Sequence, residues 1–429
     1  MKPSIPKATT ADSRRKFLQR LSYGSLAALA FPSMAADQYG SVALPSATGV
    51  LDEQYWQLVK KQFTVPDNLI MFNAANLCPS PYFINEKVFA MSRELGSNVS
   101  FQYRSVFTSQ RAKALTQLAQ FVGVSKEEIG ITRNTSESNC ILVNGLDFKP
   151  GDEIIIWDQN HPSNGIAWEK RAKRSGLIVK KVILPATPTS TDELVALFAK
   201  AITSKTKLIT FSHVSNLSGI ALPAKDICSL AKSKGIMTLV DGAQTLGLME
   251  LDLHDMGCDF FTASTHKWLM GPLENGILYV NKARIESLWP NIMGGGWKEE
   301  GHTVDEKICM LGQRIETTTS AIPEIIEFQL SIGKKVIEDR VVMLNTNLKQ
   351  QIQTKIPAAT FVTPLALSLS AGIVIINLPG KDSKYIFQKL YENYGIACAS
   401  TGGIRLSPHI YNTMEDINKV VNALATLAV

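Results

Sequence analysis

Lys267 lies in a largely apolar stretch, ASTHKWLMGP, between a histidine and a tryptophan. Lysines are seldom fully buried, because removing an ammonium group from water without a partner is costly. Where a lysine is buried, its pKa falls, and the neutral amine can act as a base or form a Schiff base. Whether Lys267 is such an amine or an ordinary surface lysine depends on the polar side chains around it.

Other polar residues follow directly after short apolar runs. The runs EIIIW, KLITFS, IMTLV, CDFFTA and IGIT are each followed by side chains that could do chemistry. Taken singly, each has an ordinary explanation as a structural histidine, a turn aspartate or a helix cap. The polar residues that follow these apolar runs are Thr135, Ser136, His161, His213, Asp241, Gln244, Ser264 and His266.

Strands and helices alternate along the middle of the chain. Strands are predicted at 153–157, 177–184, 207–212, 236–240, 258–263 and 276–280, with helical spacing at 192–202 and 224–234. A long helical pattern from 324 to about 353 leads to the C-terminal part. This alternation predicts a mainly parallel sheet that is covered by helices on both faces. Open parallel sheets bind ligands at the carboxyl ends of their strands, which is where the polar residues fall.

The combination of residue types points to one cofactor. A buried lysine can form a Schiff base, an aspartate can pair with a pyridinium nitrogen, and a histidine can stack on the ring. Thr135 and Ser136 could open a helix whose N-terminus binds a phosphate. Lys267, Asp241 and the histidines therefore form a set of partners for pyridoxal phosphate (PLP).

The order of the motifs T-S-E, H-x-S-N, S-H-V-S, D-G-A-Q and S-T-H-K resembles the class V aminotransferase family, and within it the isopenicillin N epimerase-like branch. The resemblance implies an α/β, fold-type I PLP-dependent transferase. It would have a large domain with a mainly parallel seven-stranded sheet between helices, and a smaller α+β C-terminal domain. We predict an export signal at 1–36, a linker and N-terminal arm at 37–70, the large domain at 71–325 and the small domain at 326–429.

The resemblance also implies roles for single residues. Lys267 would carry the Schiff base, Asp241 would hold the pyridine nitrogen protonated, and Gln244 would bond the phenolic oxygen of the ring. His161 would stack on the ring, and His213 would belong to the same cofactor site. The phosphate would be surrounded by Thr135, Ser136, Ser264 and His266.

One phosphate contact would come from a partner subunit, which implies a homodimer with active sites at its interface. The family motif is E-x-G-T-P, whereas this chain reads RIETTTSAI, so Thr319 fits but Thr318 and Ser320 replace the glycine and the proline. This departure from the motif weakens the predicted role of Thr319 more than it weakens the prediction of a dimer.

The substrate end of the site is expected at Arg405. A substrate carboxylate usually pairs with an arginine, and GGIRLSPHIYNTMEDI resembles the family block R-x-S-x-x-x-Y-N-T. A structural salt bridge is the alternative explanation for Arg405. Cysteine desulfurases of this family carry an R-x-G-x-x-C loop before this block. The chain has GIACASTGG instead, so Ala399 stands where their arginine would fall, and Cys398 is out of position for the catalytic cysteine. Desulfurase chemistry is therefore not expected.

Composition and charge limit the possible partners. Of the formal net charge of +6, five units lie in the first 36 residues, which hold six basic side chains and one aspartate. The rest of the chain gives no charge-based reason to bind nucleic acid. The six cysteines lie far apart without a C-x-x-C pair, so we expect no metal site.

The N-terminal residues resemble a twin-arginine export signal. Arg14 and Arg15 precede an apolar run at 21–31, and small residues follow at 33–36. We therefore expect the twin-arginine machinery to export the folded protein, with its cofactor, to the periplasm. Exported relatives include a periplasmic enzyme that modifies pyoverdine siderophores, which implies a small-molecule or peptidic amino-acid substrate.

The reaction type stays open at this level. Transaminase-like chemistry is the leading hypothesis, because it is the family default. Epimerisation and β-elimination are alternatives on the same fold. A non-catalytic exported binding protein is the alternative from another class, but it would be expected to lose Lys267 or Asp241, and the chain has both.

Overall fold

The computed structural model describes Leu44 and residues 52–185, 187–295, 297–299 and 301–429. The predicted export signal at 1–36 lies outside the described residues. All described residues belong to one unit of the chain, Leu44–Val429. No helix within this part is both long and apolar enough to cross a membrane.

A seven-stranded sheet forms the centre of this unit, in the order β2-β8-β7-β6-β5-β3-β4. Strands β7, β6, β5, β3 and β4 pair in parallel, whereas β8 is antiparallel to both of its neighbours. This confirms the predicted fold class, an α/β protein with a mainly parallel central sheet. The strands are β1 (Ile70–Met71), β2 (Ile129–Thr132), β3 (Glu153–Trp157), β4 (Ile178–Val182), β5 (Thr206–Ser212), β6 (Met237–Asp241), β7 (Phe260–Ser264), β8 (Gly276–Val280), β9 (Thr360–Phe361), β10 (Val374–Asn377), β11 (Ile396–Ala397) and β12 (Ile404–Leu406).

Helices cover both faces of the central sheet. Along β3, Ile154 and Ile156 pack into one hydrophobic cluster and Ile155 into another, and all three side chains are buried. Because helices cover both faces of this parallel sheet, side chains on both faces are apolar. The helices are α1 (Glu53–Lys60), α2 (Tyr82–Ser97), α3 (Phe101–Phe121), α4 (Thr135–Gly145), α5 (Pro162–Ser175), α6 (Thr191–Ala201), α7 (Ala224–Ser233), α8 (Leu253–Met256), α9 (Val304–Ile308), α10 (Glu316–Thr319), α11 (Ile322–Ile332), α12 (Lys334–Lys355), α13 (Ser383–Tyr394) and α14 (Met414–Ala428).

Charged side chains close the open edge of the sheet at β2. The Ile131 amide donates to Asp305 Oδ1 at 3.0 Å, and its carbonyl accepts from Arg111 Nη2 at 3.1 Å and Arg314 Nη1 at 3.0 Å. Asp305 also forms a bidentate pair with Arg111. Because an uncovered edge strand can pair with another chain, this network protects β2 and attaches the 303–316 segment to the sheet.

The C-terminal part carries its own antiparallel sheet, in the order β12-β10-β9. Helices α12, α13 and α14 pack around it through a separate hydrophobic cluster. The single helix predicted over 324–353 is wrong, because the chain forms α11 and α12 with Gly333 between them at φ +103°. An α-helix cannot continue through that conformation. The boundary between domains at 325/326 stays a prediction.

Candidate active site

The carboxyl ends of neighbouring parallel strands bring several predicted residues to one edge of the sheet. Asp241 is the last residue of β6, Ser264 is the last residue of β7, and His213 directly follows β5. Ser212 lies opposite Asp241, and Asp241 lies opposite Thr262, in the paired strands. The His213 amide donates to the Asp241 carbonyl at 2.9 Å. The strand register therefore places these residues side by side.

Asp241 is buried, with 2% of its surface exposed, and both of its carboxylate oxygens accept hydrogen bonds. Oδ1 accepts from the Ala243 amide at 3.1 Å, and Oδ2 accepts from Asn139 Nδ2 at 3.0 Å. Asn139 was not predicted from the sequence. Its position four residues after Thr135 on α4 puts the two on the same face of that helix, and this spacing is the signal that could have found it.

Lys267 lies in the turn that follows β7, and its side chain is half-buried. Burial lowers the pKa of its ammonium group. The Asp241 carboxylate opposes this shift, and the Arg405 guanidinium adds to it. Lys267 therefore lies at the same edge of the sheet as Asp241, where the charges of Asp241 and Arg405 act on it.

Side chains from two distant segments hold the turn that carries Lys267. The carbonyl of Trp268 accepts from His409 Nε2 at 2.8 Å and from Gln329 Nε2 at 3.1 Å. His409 Nδ1 accepts from the Ile410 amide at 2.8 Å. With one ring nitrogen donating and the other accepting, His409 is a neutral imidazole, and burial lowers its pKa to about 4. Neither His409 nor Gln329 was predicted from the sequence.

Gln244 is already bonded to protein groups at both ends of its amide. Its Oε1 accepts from Trp268 Nε1 at 2.8 Å, and its Nε2 donates to the Ala75 carbonyl at 2.9 Å. An indole nitrogen can only donate, so this pairing fixes which end of the amide faces which partner. One N–H of Gln244 remains, and the predicted bond to the phenolic oxygen of the cofactor would use it.

Three of the four predicted phosphate residues, Thr135, Ser136 and Ser264, meet at the N-terminus of α4. Thr135 begins this helix, and its amide donates to Ser264 Oγ at 2.8 Å while the two hydroxyl groups lie 2.6 Å apart. The Ser136 amide lies in the first turn, where a helix offers it no acceptor. His266 follows two residues after Ser264, and burial lowers its pKa to about 4. Thr135, Ser136 and Ser264 thus gather hydroxyl and amide donors at a helix N-terminus.

The two strand-end histidines have different surroundings. His161 caps α5, with its Nδ1 2.8 Å from Ser163 Oγ. Burial lowers the pKa of His161, the Asp241 carboxylate raises it, and the charges of Lys267 and Arg405 lower it. His213 is buried, which lowers its pKa to about 4, and its Nδ1 has no hydrogen-bond partner among the described residues. Ring stacking by His161 stays a prediction.

Arg405, on β12, is a buried cation held by neutral groups. Its Nη2 donates to Asn73 Oδ1 at 3.1 Å and its Nη1 to the Asn216 carbonyl at 3.3 Å. Its Nε is buried and has no partner in the described part of the chain. Burial lowers the pKa of Arg405 to about 10. These contacts differ from the structural salt bridge that was the alternative explanation for this residue.

Thr319 ends α10 and is buried within its own chain. Its hydroxyl donates to Asn275 Oδ1 at 2.9 Å, and the Asn275 carbonyl accepts from the Thr265 amide at 3.0 Å. The structure thus connects Thr319 to the segment between Ser264 and His266 of the same chain. Its predicted contact with the phosphate of a partner subunit stays a prediction.

The residues at this edge fit PLP. His213 Nδ1, His266 Nδ1 and Arg405 Nε are buried without partners among the described residues, and such groups are costly unless a ligand satisfies them. Because the histidines are neutral, Arg405 supplies a positive charge against the carboxylate of Asp241, and Lys267 supplies a second one only in its ammonium form. An anionic ligand with a ring nitrogen and a phosphate suits this set. No group of His, Cys, Asp and Glu side chains in the described residues is arranged to hold a metal ion.

We expect His409→Gln to reduce the acid sensitivity of the fold. The pKa of His409 falls from 6.5 to about 4 on burial, so the unfolded chain binds the proton first. The stability that depends on the neutral ring is present above pH 6.5 and is lost as the pH falls toward 4, by about 1.4 kcal/mol for each pH unit. Glutamine keeps a donor for the Trp268 carbonyl but does not titrate.

The measurement is the thermal midpoint of the apoprotein between pH 7.5 and pH 4.5. The midpoint of the variant should fall less over this range than that of the wild type. His302→Gln, at an exposed histidine, is the control and should follow the wild type. A His409→Gln variant that loses as much stability as the wild type would contradict this account.

Comparison with known proteins identifies the family of this chain. Residues 86–420 match the model of the family described as Aminotransferase class-V. Isopenicillin N epimerase of Streptomyces clavuligerus is 28% identical over 392 residues, which cover 87% of this chain and 98% of that protein. Cysteine desulfurase of Yersinia pestis (strain Pestoides F) is 31% identical over 342 residues, which cover 74% of this chain and 82% of that protein.

A solved structure shares the fold. It is a lysine-to-alanine mutant of C-DES with glycine covalently linked to its PLP cofactor, and it matches with a TM-score of 0.78 and 22% identity over 85% of this chain and 98% of that chain. The family match spans most of the described residues and includes the whole central sheet. The chain is therefore a PLP-dependent enzyme that belongs to the class V aminotransferase family.

Proposed function

We propose that this enzyme carries out transaminase-like chemistry on an amino acid, or on an amino-acid residue of a peptidic metabolite. The observation that carries the proposal is Lys267, a half-buried amine of lowered pKa at the same edge as Asp241. The matched family is named Aminotransferase class-V, and this name supports transamination as the leading reaction.

The proposed cofactor contacts follow from the donors at the sheet edge. Asp241 would face the ring nitrogen, the remaining N–H of Gln244 would face the phenolic oxygen, and the N-terminus of α4 with Ser264 and His266 would hold the phosphate. PLP, when bound, withdraws electrons from the Cα of an amino acid attached to it. The protein then has to orient the substrate and move the Cα proton.

Lys267 is suited to move that proton. Burial and the charge of Arg405 both favour its neutral form, and a neutral amine accepts a proton, which the ammonium form cannot do. The turn that carries Lys267 is fixed through Trp268 by His409, so the amine is held in place. We propose that Lys267 Nζ takes the Cα proton and returns it to a second carbon in transamination.

Arg405 is proposed to bind the substrate carboxylate. It is 4% exposed, and its acceptors within the chain are the neutral groups of Asn73 and Asn216. A carboxylate would satisfy the charge and the free Nε of Arg405, as arginine–carboxylate pairs do elsewhere. This favours a substrate with a carboxylate beside its amino group.

Epimerisation is the second candidate, because the chain aligns with 98% of isopenicillin N epimerase of Streptomyces clavuligerus. The two reactions differ in where the proton returns: to Cα in epimerisation and to a different carbon in transamination. Sulfur transfer is less well supported. Burial raises the pKa of Cys78 and of Cys398 to about 12, and thiols of this kind are poor nucleophiles.

The test is a panel of amino acids and amino-acid-containing peptides in D2O, with and without a 2-oxo acid. Cα deuteration with formation of a new amino acid and a new 2-oxo acid would support transamination. Deuteration with inversion at Cα would replace it with epimerisation, and loss of a β-substituent would replace it with elimination. Binding without deuteration across the panel would contradict a catalytic function and favour a binding protein.

We also propose export to the periplasm by the twin-arginine pathway. Its support is the sequence alone: the Arg14–Arg15 pair, the apolar run at 21–31 and the small residues at 33–36. Cell fractionation with N-terminal sequencing tests it. The wild type should appear in the periplasm as a shortened chain, whereas a double Arg14→Lys, Arg15→Lys variant should stay in the cytoplasm at full length. Equal distribution of the two forms would reject the proposal.

A homodimer is proposed on the basis of exposed apolar side chains near Thr319. Phe89 on α2, Phe101 on α3 and Ile315 before α10 are 61%, 84% and 56% exposed. Helix α2 lies against α10, since Ser92 bonds Thr317 at 3.0 Å, and Arg104 on α3 donates to Gln313 before α10 at 2.9 Å. A second copy of the chain would cover these side chains. Light scattering should give twice the mass of the chain, and a Phe101→Glu variant should give a monomer. A monomeric wild type would contradict the proposal.

A further inference from the structure

A buried asparagine on α4 contacts the carboxylate that would face the cofactor ring. Asn139 has no exposed surface, although it is polar. A buried amide is costly unless its hydrogen bonds are made. Its Nδ2 donates to Asp241 Oδ2 at 3.0 Å, and its Oδ1 accepts from Thr262 Oγ1 at 2.8 Å. Asn139 therefore connects α4 to the end of β6 and to the middle of β7.

The network fixes the orientation of the amide. If the oxygen and nitrogen of Asn139 were exchanged, an amide oxygen would lie against a carboxylate oxygen of Asp241, and both atoms would be acceptors. The Asp241 carboxylate therefore selects the orientation with the nitrogen toward it, and the Thr262 hydroxyl, which can donate or accept, then donates to the amide oxygen and anchors its other end. Asp241 Oδ1 is held separately by the Ala243 amide at 3.1 Å. The plane of the carboxylate is thus set from two sides.

We propose that Asn139 is a positioning residue that sets the direction in which the Asp241 carboxylate faces the cofactor. This inference rests on the proposed cofactor contact of Asp241 and adds the residue that orients it. Asn139 lies on the helix whose first residue, Thr135, bonds Ser264 at the phosphate end. One rigid helix therefore aligns the groups for the phosphate and for the ring nitrogen.

The structure offers a matched control in Asn164. This residue lies on α5, is also fully buried, and bonds the hydroxyl of Thr210 on β5 at 2.9 Å. Asn139→Leu and Asn164→Leu each remove one buried amide that joins a helix to a strand threonine. They differ in that Asn139 alone contacts Asp241. A purely structural role would give both variants the same behaviour.

The experiment titrates the apoenzyme with PLP and follows the visible absorbance of the bound cofactor against pH. We expect Asn139→Leu to bind PLP about tenfold more weakly and to shift the pH midpoint of the absorbance. Asn164→Leu should keep both values, although its thermal midpoint should fall similarly. Unchanged affinity and pH midpoint in Asn139→Leu, or equal changes in the two variants, would overturn the inference.

Two further outcomes are distinguishable. If the wild type itself does not bind PLP, the proposed cofactor contacts fail, and this inference fails with them. If Asn139→Leu does not fold, Thr262→Val carries the test, because it leaves the amide of Asn139 in place but frees it to rotate. That variant should weaken PLP binding by about threefold, and an unchanged affinity would overturn the inference.

Discussion

Replacement of Lys267 by alanine is expected to slow Cα deuteration of a substrate amino acid by roughly 100- to 10,000-fold, the usual contribution of a positioned base. Lys267 is the amine of lowered pKa at this edge of the sheet, so its removal takes away the group that moves the proton. Covalent attachment of PLP to the protein, detected by mass spectrometry after borohydride reduction, should also be lost. Deuteration is measured by mass spectrometry of the amino acid.

A second buried lysine provides the control. Lys349 on α12 donates to the Pro364 carbonyl at 2.7 Å and to Ser370 Oγ at 2.8 Å, and burial lowers its pKa to about 8. Lys349→Met should keep the deuteration rate within about twofold, because it lies outside the site. If Lys267→Ala retained the wild-type rate, or if Lys349→Met lost it equally, Lys267 would not be the base.

Replacement of Lys267 by a neutral side chain also has a consequence for stability. The pKa of Lys267 is lowered from 10.5 in the folded chain. At pH values below 10.5 the unfolded chain therefore binds more protons than the folded chain does. The wild-type apoprotein therefore gains stability as the pH rises toward 10.5, and a neutral side chain removes this dependence. Lys267→Met should have a higher thermal midpoint than the wild type at neutral pH. Such a trade of stability for activity is common at active sites.

The sequence was sufficient to place the residues at strand ends. A parallel sheet brings the carboxyl ends of its strands to one edge, so His213, Asp241 and Ser264 could be grouped from the positions of three apolar runs. The predicted bounds of the strands agree closely with the observed ones, because these apolar runs are short, buried and separated by clear helical patterns. The family and the cofactor followed from the same motifs.

The supporting contacts could not be predicted in this way. His409 and Gln329 reach the Lys267 turn from positions more than 60 residues away in the chain, as the Trp268–Gln329 bond shows. Contacts of that kind depend on how the C-terminal part packs, and no local pattern encodes them. The break at Gly333 was missed for a different reason, since apolar residues continue at helical spacing on both sides of it.

Arg405→Met is expected to remove recognition of the substrate carboxylate. Loss of one partner from a buried charge pair costs about 2 to 5 kcal/mol, so kcat/KM for the preferred amino acid should fall roughly 30-fold to several thousandfold. The corresponding amine, which has the same side chain without the carboxylate, should react equally slowly with the wild type and the variant. Initial rates with the two substrates measure the difference.

Arg340 makes a matched control, because it is an equally buried arginine with a different partner. It pairs with Glu53 and donates to the Asn412 carbonyl at 2.9 Å, whereas Arg405 is held by the neutral groups of Asn73 and Asn216. Removing a buried charge that has an ionic partner destabilises a protein, but removing one that waits for a ligand relieves a cost.

The two variants should therefore change stability in opposite directions. Arg340→Met should lower the thermal midpoint of the apoprotein and keep the preference for the amino acid over the amine. Arg405→Met should raise the midpoint and lose that preference. If Arg405→Met were destabilised as strongly as Arg340→Met and still preferred the amino acid, Arg405 would be a structural residue, and the substrate carboxylate would bind elsewhere.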